Sequence, residues 1–280
     1  MPQNKTSLEQ EVSAWLETQG YPLEMRVAKS FQATGARVIQ SEYYTDPTTQ
    51  ESREVDVVVS WQDDIDDVFV RIALVIECKS SKNKPWVLFS SKDAKLADPA
   101  RVAQRAASRL GRIGLSMLAH ERAVQSLPLF QLPDTPGYSM TQAFTSGNDI
   151  CYAAASAVAN AALAMASEPD HQMTLLGRRD FFEVIFPVLV TEARLFAATL
   201  EEGSSVSVRE QSSGILLWRN PLVGMPHTII HVVTLPALQD FVDVAVKTAD
   251  RLLTMCRGEL RAKIAEALVA RKAKTPYRRT

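Results

Sequence analysis

Cysteine is scarce in this chain: Cys78, Cys151 and Cys256 are its 3 cysteines, set far apart and without a CxxC pair. An odd, scattered set supports neither a disulfide framework nor a cysteine-rich zinc site, and it suits a reducing compartment. Glycine (11) and proline (14) are too few for a fibrous or low-complexity protein. A charge excess is lacking too, with Lys+Arg 31 against Asp+Glu 32. That balance excludes a strongly basic nucleic-acid coat and leaves room for a local basic patch. Nor is there a long apolar run. The smoothest, CYAAASAVANAALAMA at 151–166, falls short of the ~20 residues that span a bilayer, and Ser156 and Asn160 interrupt it. It reads as an alanine-rich packed helix. The N-terminal MPQNKTSLEQEVSAW lacks the apolar run of a signal peptide. The expectation is a soluble, cytoplasmic protein with no membrane contact. GxSxG, P-loop and GxGxxG patterns are absent, so triad hydrolysis and nucleotide binding find no support.

What is present is an ordinary globular composition, 46% hydrophobic and 22% charged over 280 residues. It suits one elaborated domain with a full core. Ser7 and Gln10 are spaced as a capping box for a helix over 7–19, which Gly20 ends. Pro22 suits the first turn of a second helix, 22–33, whose Leu23, Val27 and Phe31 share one face. Periodicity then changes to that of strands at 36–44, 53–61 and 68–80, with the polar QDDIDD as a hairpin loop. WVLFS is a candidate short strand, and Asp98-Pro99 opens a helix to about Arg112. The stretch 113–150 reads as irregular. A helix follows at 149–166, capped by Asn148 or Asp149, then a strand at 184–200 with Pro187 near its start. ILLWRNP and HTIIHVVT are further strands, and a helix over 236–256 precedes a basic tail, 257–280. The domain expectation is a single unit with its core at 7–112 and 184–256 and a helical insertion at 113–183.

The informative region is 22–79. Asp56 interrupts VDVVV and Glu77 interrupts LVIECK, each where a core residue would be expected. Burying a carboxylate in an apolar strand is costly unless a metal or a partner balances it. Pairing the strands around QDDIDD brings Asp56 opposite the 74–77 stretch, where facing side chains stand ~5 Å apart and diagonal ones ~7–8 Å. Both carboxylates can then reach one divalent ion. Lys79 lies two residues past Glu77, on the same strand face. Hard carboxylate oxygens suit Mg2+, with Mn2+ able to substitute, and such an ion activates water and offsets phosphorane charge. Glu24, on the helix before the first strand, is placed to support the site, with Glu9 and Glu11 as competitors from the earlier helix.

This order, a helix with Glu24, a strand, a strand with Asp56, a strand ending Glu77-Cys78-Lys79 and then a helix, resembles the PD-(D/E)XK, or restriction-endonuclease-like, nucleases. Val55 stands where the motif's proline would be. The resemblance covers roughly the first 110 residues. It implies an α/β fold with an αβββαβ core, a mixed central sheet flanked by helices, and a DNA substrate. It also implies Asp56, Glu77 and the backbone carbonyl of Cys78 as metal ligands, Lys79 as the catalytic lysine and Glu24 as the helix carboxylate. Defence against foreign DNA and DNA repair are the roles implied. A non-catalytic nucleic-acid-binding or scaffold protein with this fold is the alternative. RNA as substrate stays open, as does a second copy or a partner subunit.

Other signals are weaker. Arg101, Arg105, Arg109 and Arg112 recur at helical spacing, as one basic stripe for phosphates or as a solvated face. Lys82 and Lys84 follow the site strand as candidate phosphate contacts, while Trp86 reads as core. Asp63, Asp64, Asp66 and Asp67 lack the spacing and glycine of a calcium loop and read as a solvated turn. His227 and His231 stand four apart, but in a strand that is ~13 Å, too far for one zinc ion.

Overall fold

The computed structural model describes residues 7–66, 68–80, 84–147, 149–176, 180–201, 203–219 and 227–258, with Arg261, Ala262 and Glu266. Lys82, Asp67, Asn148 and most of the basic tail lie outside the described residues. The chain starts with α1 (Leu8–Leu16) and α2 (Tyr21–Gln32). Ser7 and Gln10 close the expected capping box on α1. Pro22 sits in the first turn of α2, and Leu23, Val27 and Phe31 are its buried stripe. An antiparallel meander follows: β1 (Arg37–Thr45), β2 (Ser52–Ile65) and β3 (Val68–Lys79). QDDIDD is mostly strand. The ladder runs out to Ile65↔Val68, and Asp66 takes a left-handed φ of 53° at the tight turn. Arg257 and Arg261 bind Asp63 and Asp66, so this end is tied down by the chain's C-terminal part.

Beyond β3 come β4 (Trp86–Ser90), α3 (Asp98–Ala103), β5 (Ala106–Ala107), α4 (Arg109–Leu118), α5 (Arg122–Gln125), β6 (Gly137–Gln142) and α6 (Ile150–Leu176). The chain ends with β7 (Asp180–Thr191), β8 (Leu195–Leu200), β9 (Val206–Gln211), β10 (Ser213–Trp218), β11 (Thr228–Thr234) and α7 (Leu238–Arg257). The fold is α/β, with one large mixed sheet flanked by helices. Its strand order is β1-β2-β3-β7-β11-β10-β6-β4-β8-β9, with β5 on β7. β7 runs parallel to β3 along its whole length.

That order forces curvature. β8 follows β7 after only Glu192–Arg194, yet lies five strands away in the sheet. Five spacings span roughly 24 Å in a flat sheet, while the link reaches at most about 14 Å. The sheet therefore curls back, and α6 fills the concave side. There its Ala154, Ala155, Val158, Ala159 and Ala162 share a core with Val75, Trp86, Leu88, Leu189, Leu195 and Leu216. The apolar window of α6, Ile150–Ser167, is long enough to cross a membrane by composition, but 56% of it is buried in this core. Asp149 caps α6 by accepting from the Cys151 N–H. On the opposite face α2, α4 and α7 pack on β2, β3 and β7.

Four expectations are corrected. The helix expected over 99–112 is broken, because Ala106 and Ala107 leave it to pair with Val184 and Ile185 of β7. Ser108 then caps α4 and also accepts from the Glu183 N–H while donating to the Phe181 carbonyl. The stretch 113–183, expected as a helical insertion, supplies strand β6 to the sheet and the helix on which the concave core is built. The strand expected over 184–200 is two, with the break at Glu192–Arg194. Pro187 lies deep in β7, not near its start. β3 pairs it on one flank, and on the other it falls between the β5 ladder at Ile185 and the β11 ladder at Val188. Its missing N–H therefore costs no ladder bond.

The seam between α4 and β7 is tight enough to test. A Cβ on Gly111 would collide with the Glu183 carbonyl oxygen and press on Ala107. Gly111→Ala is expected to destabilise by roughly 2–3 kcal/mol, read as a lowered urea midpoint with an unchanged slope.

Candidate active site

The acidic pair comes together where β2 and β3 part. Their ladder ends at Val57↔Ile76, so Asp56 and Glu77 are the next facing residues. There the Cys78 N–H donates to Asp56 Oδ2 at 2.6 Å, in place of a strand-to-strand bond. β1 is also irregular at this level. Its ladder with β2 skips from Gln40↔Val57 to Glu42↔Val55, and Ser41 holds a left-handed φ of 56°. Lys79 Nζ donates to Glu77 Oε1, as the two-residue spacing on β3 predicts.

Burial and mutual repulsion shape the electrostatics. Burial raises the Asp56 carboxyl above its ordinary value, against the Cys78 N–H and Lys79. Glu77 is raised by burial and then by Asp56, with Lys79 opposing. Burial works against the Lys79 charge, but Glu77 and Asp56 overcome it and hold the ammonium above its usual value. Glu24 is half-buried on α2 and pushed up to about 7, first by burial and then by Asp56 and Glu54. Glu24 is thus a helix carboxylate that senses the pair, while α1, which carries Glu9 and Glu11, has no buried residue. The Cys78 side chain faces the apolar core, and burial drives its thiol well above the usual range. It is the N–H of Cys78 that meets Asp56.

Two neighbours escaped the sequence reading. Glu54 is exposed two residues before Asp56 and adds negative charge that Glu24, Asp56 and Glu77 all sense. Its period-two spacing was a usable signal. Glu192 had no local signal, because it lies in the β7–β8 link. Its N–H donates to the Lys79 carbonyl at 3.3 Å, and its carboxylate accepts from Ser80 at 2.5 Å and Arg26 at 3.1 Å. It thus ties the end of β3 to α2, the helix that carries Glu24.

The basic residues do not form one stripe. Arg105 is 1% exposed, wedged between the Phe130 and Phe186 rings and donating to the Arg101 and Leu129 carbonyls. A buried guanidinium cannot line a phosphate backbone, so Arg105 is removed from the surface set. Arg101, with 14% of its side chain exposed, is held by Asp98 and the Gln125 carbonyl. Arg109 and Arg112 are exposed on α4, beyond the break. Lys84 is exposed and donates to Thr145 Oγ1 at 3.3 Å. Trp86 is fully buried.

As placed, no three His, Cys, Asp or Glu side chains among the described residues converge to hold a metal. Asp56 and Glu77 still fit a hard cation in kind. They are oxygen donors with raised carboxyls, facing each other across the parted strands beside the Lys79 ammonium. No family model, curated protein or solved structure matches the chain.

Proposed function

We propose that this chain is a metal-dependent nuclease that hydrolyses DNA phosphodiester bonds at the Asp56–Glu77–Lys79 site. The observation that carries the reading is the gathering of these groups and Glu24 where β2 and β3 part, next to the apolar runs Val57–Val59 and Ala73–Ile76. Such a gathering is expensive unless it serves a charged ligand. The element order α2-β1-β2-β3, with helices between β3 and the parallel β7, supports a restriction-endonuclease-like core.

Asp56 and Glu77 are the residues that would hold a divalent ion, and two protein carboxylates suffice for Mg2+, which keeps several waters. When bound, such an ion supplies an activated water and offsets charge on the scissile phosphate. The Cys78 N–H orients Asp56 by fixing one of its oxygens. Lys79, released from Glu77, offers its ammonium to the phosphate or to the attacking water. Glu24, near neutrality at about 7, is poised to take or give a proton on the helix side. The near-neutral chain suits a weak or partner-assisted grip on DNA.

The test is incubation of plasmid and linear DNA with Mg2+ or Mn2+, with EDTA controls and a parallel RNA arm. Nicked or linear products that vanish in EDTA are expected. DNA left intact in every metal overturns the reading and favours the non-catalytic nucleic-acid-binding or scaffold alternative. Cutting of RNA alone reassigns the substrate.

A further inference from the structure

Phe144 stands apart from every other aromatic residue described. It is 86% exposed, in the turn between β6 and α6, and its φ is +57°. A bulky side chain in the left-handed region is strained, and such strain persists only where the surroundings impose it. Here they do. The Ala143 N–H donates to the Pro85 carbonyl at 2.9 Å. Thr145 Oγ1 donates to Gln142 Oε1 at 3.0 Å and accepts from Lys84 at 3.3 Å. The turn is fastened on both sides of the phenylalanine, and the ring is held in water.

The turn also lies at the site's end of the sheet. β3 and β7 finish there at Lys79↔Thr191, β4 and β8 begin there at Trp86↔Leu195, and β6 finishes there at Gln142↔Trp86. Backbone bonds lace these ends together, from Glu192 to the Lys79 carbonyl and from Trp86 to the Arg194 carbonyl. The described neighbours of Phe144 along the turn, Ala143, Thr145, Ser146 and Gly147, are small or polar, so the ring offers a bare π-face. A protein partner would call for a wider apolar surface. One flat ring, on the turn whose Thr145 hydroxyl accepts from the Lys84 ammonium, matches one nucleobase and its phosphate.

We propose that Phe144 and Lys84 form a stacking site for an unpaired nucleobase, so that the strand engaged is single-stranded or frayed. This rests on nucleic acid being the ligand of the neighbouring site. It adds which form of nucleic acid that site receives. Stacking a base on an aromatic ring changes affinity by about tenfold.

The experiment is fluorescence anisotropy in EDTA, so that no cutting occurs, with a single-stranded oligonucleotide and the same sequence as a blunt duplex. Phe144→Ala is expected to weaken single-strand binding about tenfold and leave duplex binding within twofold, while Phe144→Trp keeps it. Phe144→Gly separates ring from backbone, since it relieves the left-handed strain and is expected to match the alanine variant. Unchanged single-strand affinity in Phe144→Ala, an equal loss on both ligands, or no binding to single strands overturns the proposal. Cleavage by the wild type in Mg2+ is scored separately. Phe144-dependent binding without cleavage refutes the nuclease and keeps the stacking site, and cleavage without Phe144 dependence does the reverse.

Discussion

For the proposed nuclease, Lys79→Ala is expected to lower the turnover of DNA cleavage by roughly 10²–10³-fold, while the Mg2+ concentration for half-maximal rate stays constant or falls. The two halves of this expectation have one cause. Lys79 is the cation among the site's ionisable groups, facing Asp56, Glu77 and Glu24. On the nuclease reading, removing it takes away the positive group available to the scissile phosphate and so penalises the step in which charge develops. The same removal leaves the carboxylates less neutralised, which favours a divalent ion. A lysine that merely held the fold would show a lowered melting temperature and parallel losses in every parameter. Asp56→Asn is expected to separate in the opposite sense, with a raised metal requirement. A Lys79→Ala enzyme that cuts at the wild-type rate, or one whose metal requirement rises with its loss of turnover, removes Lys79 from the chemistry.

The elements legible in the sequence are those whose cues are local. The capping box at Ser7 and Gln10, Pro22 with the Leu23, Val27 and Phe31 stripe, and the alternation of the first three strands all carry their own period. The juxtaposition of Asp56, Glu77 and Lys79 was legible for a related reason: charge inside an apolar run is an anomaly visible without any fold. What failed was decided at a distance. Ala106 and Ala107 have good helix propensity, and only the open flank of β7 draws them into a ladder. VIFPVLVTEARLFAATL reads as one strand, since nothing in it reveals that β8 must pair with β4 on the far side of a curled sheet. β6 has no distinctive pattern of its own and is specified by β4 and β10. Arg105 illustrates the same limit. Helical spacing assigned it to a surface stripe, whereas the broken helix drives it between two phenylalanine rings.

That buried region carries the second large expectation, a loss of stability in mild acid that originates at a histidine two strands over from β3, outside the acidic site. His231 lies in β11, 6% exposed, between the rings of Phe186 and Phe241. Its Nε2 finds no hydrogen-bond partner among the described residues. Burial pushes its pKa from the ordinary 6.5 down to about 3, the Arg105 cation adds to that, and a backbone hydrogen bond at Leu129 opposes it. The unfolded chain therefore takes up a proton near 6.5, and the folded chain refuses it until about 3. Between those values the unfolded state binds more protons, so stability falls as the pH falls. The slope is about 1.4 kcal/mol per pH unit, on the order of 5 kcal/mol over the whole window. That rivals the net stability of a typical domain. Glu24 works the other way, because its folded value of about 7 lies above its ordinary 4.5 and acid relieves its burial. The comparison that isolates His231 is thus wild type against His231→Gln, by urea denaturation in EDTA at pH 7.5, 6, 5 and 4. Gln keeps an amide donor for the Leu129 carbonyl and does not titrate. The two curves are expected to converge on acidification as the wild type loses its advantage, with Glu24 cancelling from the difference. Parallel curves across the range would mean that His231 opens to water and protonates without unfolding the sheet around it.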